Sequence, residues 1–394
     1  MPITRQQKLF NNWGVHMKVL FVATVRSHIG QFHMPFIEEL KKRGCEVHAA
    51  YKDNSADKQG LDLSAVDKVF EVPFSRNPYS TSNIRAYKVL KKIIDENHYD
   101  AIHCHTPMGA VVTRLAAKNA RKKGTKIIYT AHGFHFYKGA SKFNWLVFYP
   151  IEKYLSKYTD CLITINKEDY ELARRKGFKT PEIKHVDGVG VDISRFHSVT
   201  ASEKSQLRQE YGYSDSDFLM IYPADFCKRK NQNMLFDTLK LLLEKNSNFK
   251  LLLPGLDEFA QPYIEYAKEI GVYDHISVMG YRRDIDKLVG MCDLSVSSSR
   301  QEGLPINLIE AMAIGNAIVA SDVRGNNDLV VNGRNGFLVE LNHSQEMADA
   351  VLKLYNDPEL AESFRKHNNS MVKKYSVDSV IRHMVEIYKD LDLL

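Results

Sequence analysis

Tryptophan occurs twice in this 394-residue chain and cysteine five times, and no apolar run approaches the ~18 residues of a membrane-spanning helix. Cys45, Cys104, Cys161, Cys227 and Cys292 are scattered, with no C-x-x-C pair. That spacing excludes a disulfide framework and a cysteine zinc cluster, and it fits a reducing cytoplasm. Residues 1–16 are polar and lack the apolar core of a secretory leader, so they read as an extension or a misplaced start. No G-x-G-x-x-G follows the first strand-like run, which disfavours a dinucleotide-binding dehydrogenase. No Asp-x-Asp stands at a strand end, and no aromatic–basic module of a nucleic-acid binder is present.

What the chain does have is a regular alternation of strand-like and helix-like runs. Its length favours two domains. MKVLFVAT from Met17 is a buried first strand, and a loop from Thr24 to Gly30 then leads into a helix over Gln31 to Arg43. AIHCHT (101–106) and KIIYTAHG (126–133) are further strands, separated by a helix from Met108 to Lys123. The second strand ends in His132, where a parallel sheet presents side chains to a ligand crevice. His103, His105 and His135 lie nearby in sequence, but alternate residues on a strand share one face and no carboxylate completes a ligand set, so no metal site is expected.

The most informative segment is Asp293 to Gly315, DLSVSSSRQEGLPINLIEAMAIG. It reads as a strand from Leu294 to Ser298, a polar loop to Leu304, and a helix from Pro305 to just before Gly315. Proline suits the first helical position and glycine the position past the end. Glu302 stands in the loop. Glu310 stands about 7.5 Å along the helix, at ~1.5 Å per residue. Between them the helix start offers free amides and a positive dipole end, which suit a phosphate. Two hydroxyl acceptors flanking an anion cradle match the needs of a nucleotide sugar.

Glu302-Gly-Leu-Pro followed by Glu310-Ala-Met-Ala-x-Gly resembles the signature of the retaining glycosyltransferases of family 4. The resemblance extends over nearly the whole chain from Met17. It implies the GT-B fold, two facing Rossmann-like α/β domains with the active site between them: an acceptor-side domain over 17–196, a nucleotide-sugar domain over 197–374, and a C-terminal helix over 375–394 crossing back to the first. It assigns Glu310 to the ribose hydroxyls, Glu302 and His132 to the transferred sugar, and the amides around Gly303, Leu304, Ile306 and Asn307 to the diphosphate. The Gly30 loop falls beside the donor phosphates and the acceptor, and Gly280-Tyr281-Arg282 at the uracil. Asp187-Gly-Val-Gly-Val-Asp192 resembles the interdomain linker. The family has an arginine and a lysine that clamp the diphosphate; here Asp225 replaces the arginine, Lys230 is retained, and Arg229 or Lys228 is positioned to restore the charge.

The implied activity is transfer of a sugar from a UDP-sugar to a carbohydrate acceptor, with retention and without cofactor or metal. HIGQFHMPF and YTAHGFHFY resemble capsule and exopolysaccharide enzymes, which makes a polyprenyl-diphosphate-linked oligosaccharide the expected acceptor. Two alternatives stay open: a UDP-sugar 2-epimerase of the same fold, and a non-catalytic nucleotide-sugar-binding subunit, to which the Asp225 departure would point. Residues 1–200 carry 32 Lys+Arg against 19 Asp+Glu, and residues 201–394 carry 22 against 29. Such a basic half suggests an anionic partner. The aromatic–lysine stretch from Phe134 to Tyr158, FHFYKGASKFNWLVFYPIEKYLSKY, suggests that the partner is a membrane surface. The expected location is therefore the inner face of the cell membrane, peripheral, with no nucleic-acid partner.

Overall fold

The computed structural model describes residues 17–55 and 60–394, so the extension read over residues 1–16 lies outside it. The chain divides into two compact units. Unit 1 holds a seven-stranded sheet of β1 (Lys18–Val25), β2 (Glu46–Lys52), β3 (Lys68–Glu71), β4 (Ala101–His105), β5 (Lys126–Ala131), β6 (Cys161–Thr164) and β7 (Glu182–His185). Unit 2 holds a six-stranded sheet of β8 (Phe218–Ile221), β9 (Phe249–Leu253), β10 (Ile276–Val278), β11 (Leu294–Ser297), β12 (Ala317–Ser321) and β13 (Gly336–Val339). Every pairing is parallel. Central strands such as β4 and β12 are buried along their whole length, as expected where helices cover both faces.

The strand orders are β3-β2-β1-β4-β5-β6-β7 and β10-β9-β8-β11-β12-β13. Each is doubly wound, so each unit is Rossmann-like. The order reverses between β1 and β4 in unit 1, and between β8 and β11 in unit 2. At such a switch point the loops leaving the two strands part company, and a crevice opens at the carboxyl ends. The functional candidates therefore fall at two predictable places, one per unit.

Two boundaries differ from expectation. Unit 2 takes in the short stretch Asn166–Glu168 and then runs on from Asp187, ten residues before the expected 197. The cause is backbone pairing: Val191 N donates to Tyr375 O at 3.0 Å and Val377 N to Val191 O at 3.1 Å, so the linker-like segment packs within unit 2. Gly190 is required there, because it has φ +87° and a Cβ would sit 2.7 Å from the Cα of Val377. The last helix, Val377–Asp390, contributes to unit 1 only from Ile381 onward. There Tyr388 is buried, with its hydroxyl 3.0 Å from Nδ1 of His103.

The aromatic stretch has two fates. It forms the helix Lys142–Leu155, whose N-cap Ser141 accepts from Asn144 N. One face is pinned to unit 1 by a buried ion pair: Arg114 donates to both carboxylate oxygens of Glu152 at 2.8 and 3.0 Å, with its guanidinium over the Tyr129 ring. Trp145, Phe148 and Tyr149 pack on the core beside that pair. The other face leaves Phe143, Leu146, Ile151 and Tyr154 exposed, Leu146 by 75%. Among the described residues no helix is long and apolar enough to cross a membrane.

Candidate active site

In unit 2 the loops after β8 and β11 meet at Glu302. Its carboxylate accepts from Lys230 Nζ at 2.7 Å on one oxygen and from Arg229 Nη1 at 2.9 Å on the other, and the Ser299 hydroxyl completes the shell. The side chain is 8% exposed. Burial alone pushes this carboxyl up; the Lys230 and Arg229 cations outweigh it and hold Glu302 below the usual carboxylate range. The same contacts raise the largely buried Lys230 and the more exposed Arg229, so all three groups are charged at neutral pH. Backbone bonds fix the loop as well: Arg324 Nε donates to Glu302 O at 2.9 Å, and Glu302 N donates to Arg324 O at 3.2 Å. Gly325 allows this approach, since a Cβ there would lie 2.7 Å from Gly303 O.

The helix that follows runs over Ile306–Ile314, and Pro305 is its N-cap with extended backbone, one position earlier than expected. Proline satisfies the φ of either position, and here its ψ of 114° keeps it outside the helix. A proline has no side-chain acceptor, so the amides of Ile306 and Asn307 open the helix uncapped beyond Gly303 and buried Leu304. Asn307 turns its Nδ2 to Pro223 O at 3.2 Å, tying this helix start to the end of β8. Glu310, a turn further on, has no hydrogen bond or ion pair among the described residues. Burial pushes its carboxyl up to about 8, opposed by Arg195 and reinforced by Asp286. The segment thus carries two carboxylates of opposite character eight positions apart.

Asp225, which replaces the expected arginine, accepts from Leu256 N at 2.9 Å. It anchors the loop after β9, while Arg229, four residues on, pairs with Glu302 beside Lys230. Gly280 follows β10 at φ +64°, and its carbonyl accepts from Gly255 N at 2.8 Å. Arg282 is held by a bidentate pair with Asp284, which also accepts from the Tyr211 hydroxyl. Its guanidinium is thereby committed to its own loop.

In unit 1 the expectation for Gly30 does not hold. No loop follows β1; the helix Arg26–Phe32 begins at once, and a second, Met34–Lys42, follows the joint at His33. Gly30 lies inside the first helix, and a Cβ there would stand 3.0 Å from Leu61 Cβ, so it is a packing glycine. His132 does follow β5, and its Nε2 lies 3.4 Å from Nδ1 of His105 at the end of β4. Two further histidines join them, His28 from the first helix and His33 from the joint. The four rings each offer a nitrogen, all within 4.8 Å of one another. The spacing hid this cluster because its members come from three separate segments. Of the histidines considered from sequence, His105 and His132 belong to it, whereas His103 and His135 are outside: His103 bonds Tyr388 and Thr130, and His135 stacks on Phe148.

Two Rossmann-like units in one chain, with an acidic switch-point loop ahead of an uncapped helix in the second, define the GT-B class of protein. Comparison with known proteins agrees. The model for Glycosyl transferases group 1 matches residues 203–371, and that for Glycosyl transferase 4-like matches residues 18–166. EpsD of Bacillus subtilis (strain 168), named as a glycosyltransferase, is 40% identical over 373 residues, 94% of this chain and 96% of EpsD. The UDP-Gal:alpha-D-GlcNAc-diphosphoundecaprenol alpha-1,3-galactosyltransferase of Escherichia coli is 25% identical, covering 90% of this chain and 91% of its own length. The crystal structure of Anabaena HepE in complex with UDP and glucose superposes with TM-score 0.79 at 22% identity, over 95% of this chain and all of that one. The chain belongs to the glycosyltransferases of the family 4 type, with the GT-B fold.

The Glu302 ion pairs have a pH signature. A carboxyl lowered on folding contributes its full stability above the ordinary range and loses it as pH falls through the folded value. Glu302→Gln is expected to be less stable than the parent by roughly 3 kcal/mol at neutral pH, the order expected for breaking a buried pair. The difference should shrink in acid. Urea unfolding midpoints at neutral and acidic pH measure this, and an equal gap at both would remove the charged role.

Proposed function

We propose that the protein transfers a sugar, with retention of anomeric configuration, from a UDP-sugar to a polyprenyl-diphosphate-linked carbohydrate acceptor during surface polysaccharide synthesis. The observation that carries the reading is the Glu302–Lys230–Arg229 constellation beside an uncapped helix N-terminus that bears the unpaired Glu310. Transfer breaks the bond between the anomeric carbon and a β-phosphate oxygen, so negative charge grows on the diphosphate. Lys230 spends one of its three N–H donors on Glu302 and keeps two for phosphate oxygens. Arg229 and the amides of Leu304, Ile306 and Asn307 add preorganised donors. The acceptor hydroxyl attacks on the face the diphosphate leaves and gives its proton to the departing phosphate oxygen, so no protein nucleophile is required. Glu302, held by its two cations, and His132 orient the sugar. Gly280 and the backbone near Arg282 serve the uracil. No metal is assigned to this step, because the cations supply the charge stabilisation a metal would.

The acceptor class follows the named activity of the Escherichia coli relative, whose substrate is a diphosphoundecaprenol-linked sugar. The direct test is UDP release from a panel of UDP-sugars with and without a polyprenyl-diphosphate-linked acceptor. Release is expected only with acceptor, to persist in EDTA, and to fall sharply in His132→Ala and Glu302→Gln at saturating donor. Conversion of the UDP-sugar without acceptor would instead identify an epimerase.

Glu310 yields a second expectation. To accept from two ribose hydroxyls it must be ionised, and its carboxyl is raised to about 8. Binding UDP below that pH must expel a proton, so affinity should rise up to tenfold per pH unit approaching 8 and level off above it. Glu310→Gln should lose this slope. The phosphate titration of UDP itself is common to both proteins and cancels in the comparison. Above pH 8, Glu310→Ala should cost roughly 1.5–3 kcal/mol of UDP binding, the value of a hydrogen bond to a charged group. Calorimetry decides; parallel pH profiles would reject the ribose assignment.

Membrane docking is proposed through the exposed face of the helix Lys142–Leu155, where Phe143, Leu146, Ile151 and Tyr154 stand beside Lys142 and Lys157. Basic residues near an anionic surface contribute about 1 kcal/mol each. Trp145, an anchor candidate from sequence, faces inward with its Nε1 on Tyr137 O and is no part of this face. Sedimentation with anionic liposomes should exceed that with neutral ones, weaken with salt, and drop in a Phe143→Ser/Leu146→Ser variant. Equal sedimentation with both vesicle types would remove the proposal.

A further inference from the structure

The histidine cluster of unit 1 carries chemistry that sugar transfer does not use. We infer that His28, His33, His105 and His132 form a binding site for one transition-metal ion, Zn²⁺ in the first instance. Four ring nitrogens, one from each histidine, converge there within 4.8 Å of one another. Three of the rings, His28, His33 and His105, have a buried Nε2 with no hydrogen-bond partner. Buried polar nitrogens are ordinarily satisfied, and an unmade bond destabilises the fold. His103 shows the ordinary solution a few ångströms away, with Tyr388 on one nitrogen and Thr130 on the other.

The four cannot be satisfied by taking up protons. Burial is the largest effect on each, and the neighbouring histidines and Arg76 disfavour a proton further. His132 is lowered to about 4 by burial. Burial thus favours the neutral imidazole, the state that ligates metal. Imidazole suits zinc. Ligand nitrogens about 2.0–2.1 Å from a tetrahedral zinc stand roughly 3.4 Å apart. Closing the widest pair from 4.8 Å asks shifts under about 1 Å at each ring. The rings come from rigid places: the end of β4, the residue after β5, a helix, and a helix joint.

An ion here would occupy a lone pair of His132. On the reading that His132 orients the sugar, the metal-free chain is the active transferase and Zn²⁺ is an inhibitor.

The test uses the untagged full-length chain, chelator-treated, exchanged into metal-free buffer and titrated calorimetrically with Zn²⁺. One ion per chain is expected, with affinity at least tenfold weaker in His28→Gln and in His105→Gln. Co²⁺ should give the intense visible band of a four-coordinate site in the parent and lose it in both variants. His105 is fully buried, so His28→Gln, at a half-buried position, is the primary variant, with its fold checked by circular dichroism. Absence of a saturable one-to-one site in the parent, or unchanged affinity in folded His28→Gln, would overturn the inference. Zinc binding without loss of UDP release would leave the metal site standing and take His132 out of the reaction.

Discussion

The ion pairs of Glu302 are the interaction on which the second unit depends. Lys230 and Arg229 come from the loop after β8, Glu302 from the loop after β11, and these two strands flank the point where strand order reverses. A doubly wound sheet sends its helices to opposite faces there, so the two loops would separate without a tie. The largely buried Glu302–Lys230 pair, with the more exposed Arg229 on the other carboxylate oxygen, supplies it. Because removing one partner would leave the others uncompensated, the loops are locked in one arrangement. The uncapped helix start and the Gly325 approach to Gly303 O inherit their positions from that lock.

Glu302 and Glu310 show how one short segment obtains two chemistries from the same side chain. Glu302 is buried and Glu310 half-buried, and desolvation acts upward on both. Glu302 faces two cations and ends below the usual range; Glu310 has only the opposed influences of Arg195 and Asp286 and ends near 8. One carboxylate is held charged by its cations, and the other lies where it can change state near neutral pH. Environments that drive two like groups apart are the usual way a site divides its tasks.

Legibility in the sequence tracked the distance between partners along the chain. The strand, loop and helix over 293–315 were readable because turn chemistry, proline and glycine act locally, and both glutamates lie within them. The switch points were implied by the βα alternation. Gly30 was misread because the loop expected after β1 does not exist: the helix starts at Arg26, and the glycine's role is set by Leu61, which no local pattern announces. Arg229 and Lys228 were equal candidates by position, and only the fold shows that Arg229 reaches Glu302, 73 positions away. His28 and His33 were missed for the same reason, since a cluster drawn from three segments leaves no periodicity. The aromatic helix was half legible: composition showed its character, but only the Arg114–Glu152 pair determines which side faces inward.

The two switch points differ in their electrostatics although their topology is the same. That of unit 2 holds two cations and a carboxylate, which suit a departing diphosphate whose charge grows during reaction. That of unit 1 holds four uncharged imidazoles with no counter-ion among the groups acting on them. Neutral acceptors in a buried pocket neither attract phosphate nor repel it; they take hydroxyl protons or a metal. Topology fixes where a ligand can sit in each half of the chain, whereas the side chains leaving the strand ends determine what kind of atom is welcome. The charged switch point of unit 2 and the neutral one of unit 1 are therefore consequences of which residues end or follow β1, β4, β5, β8 and β11.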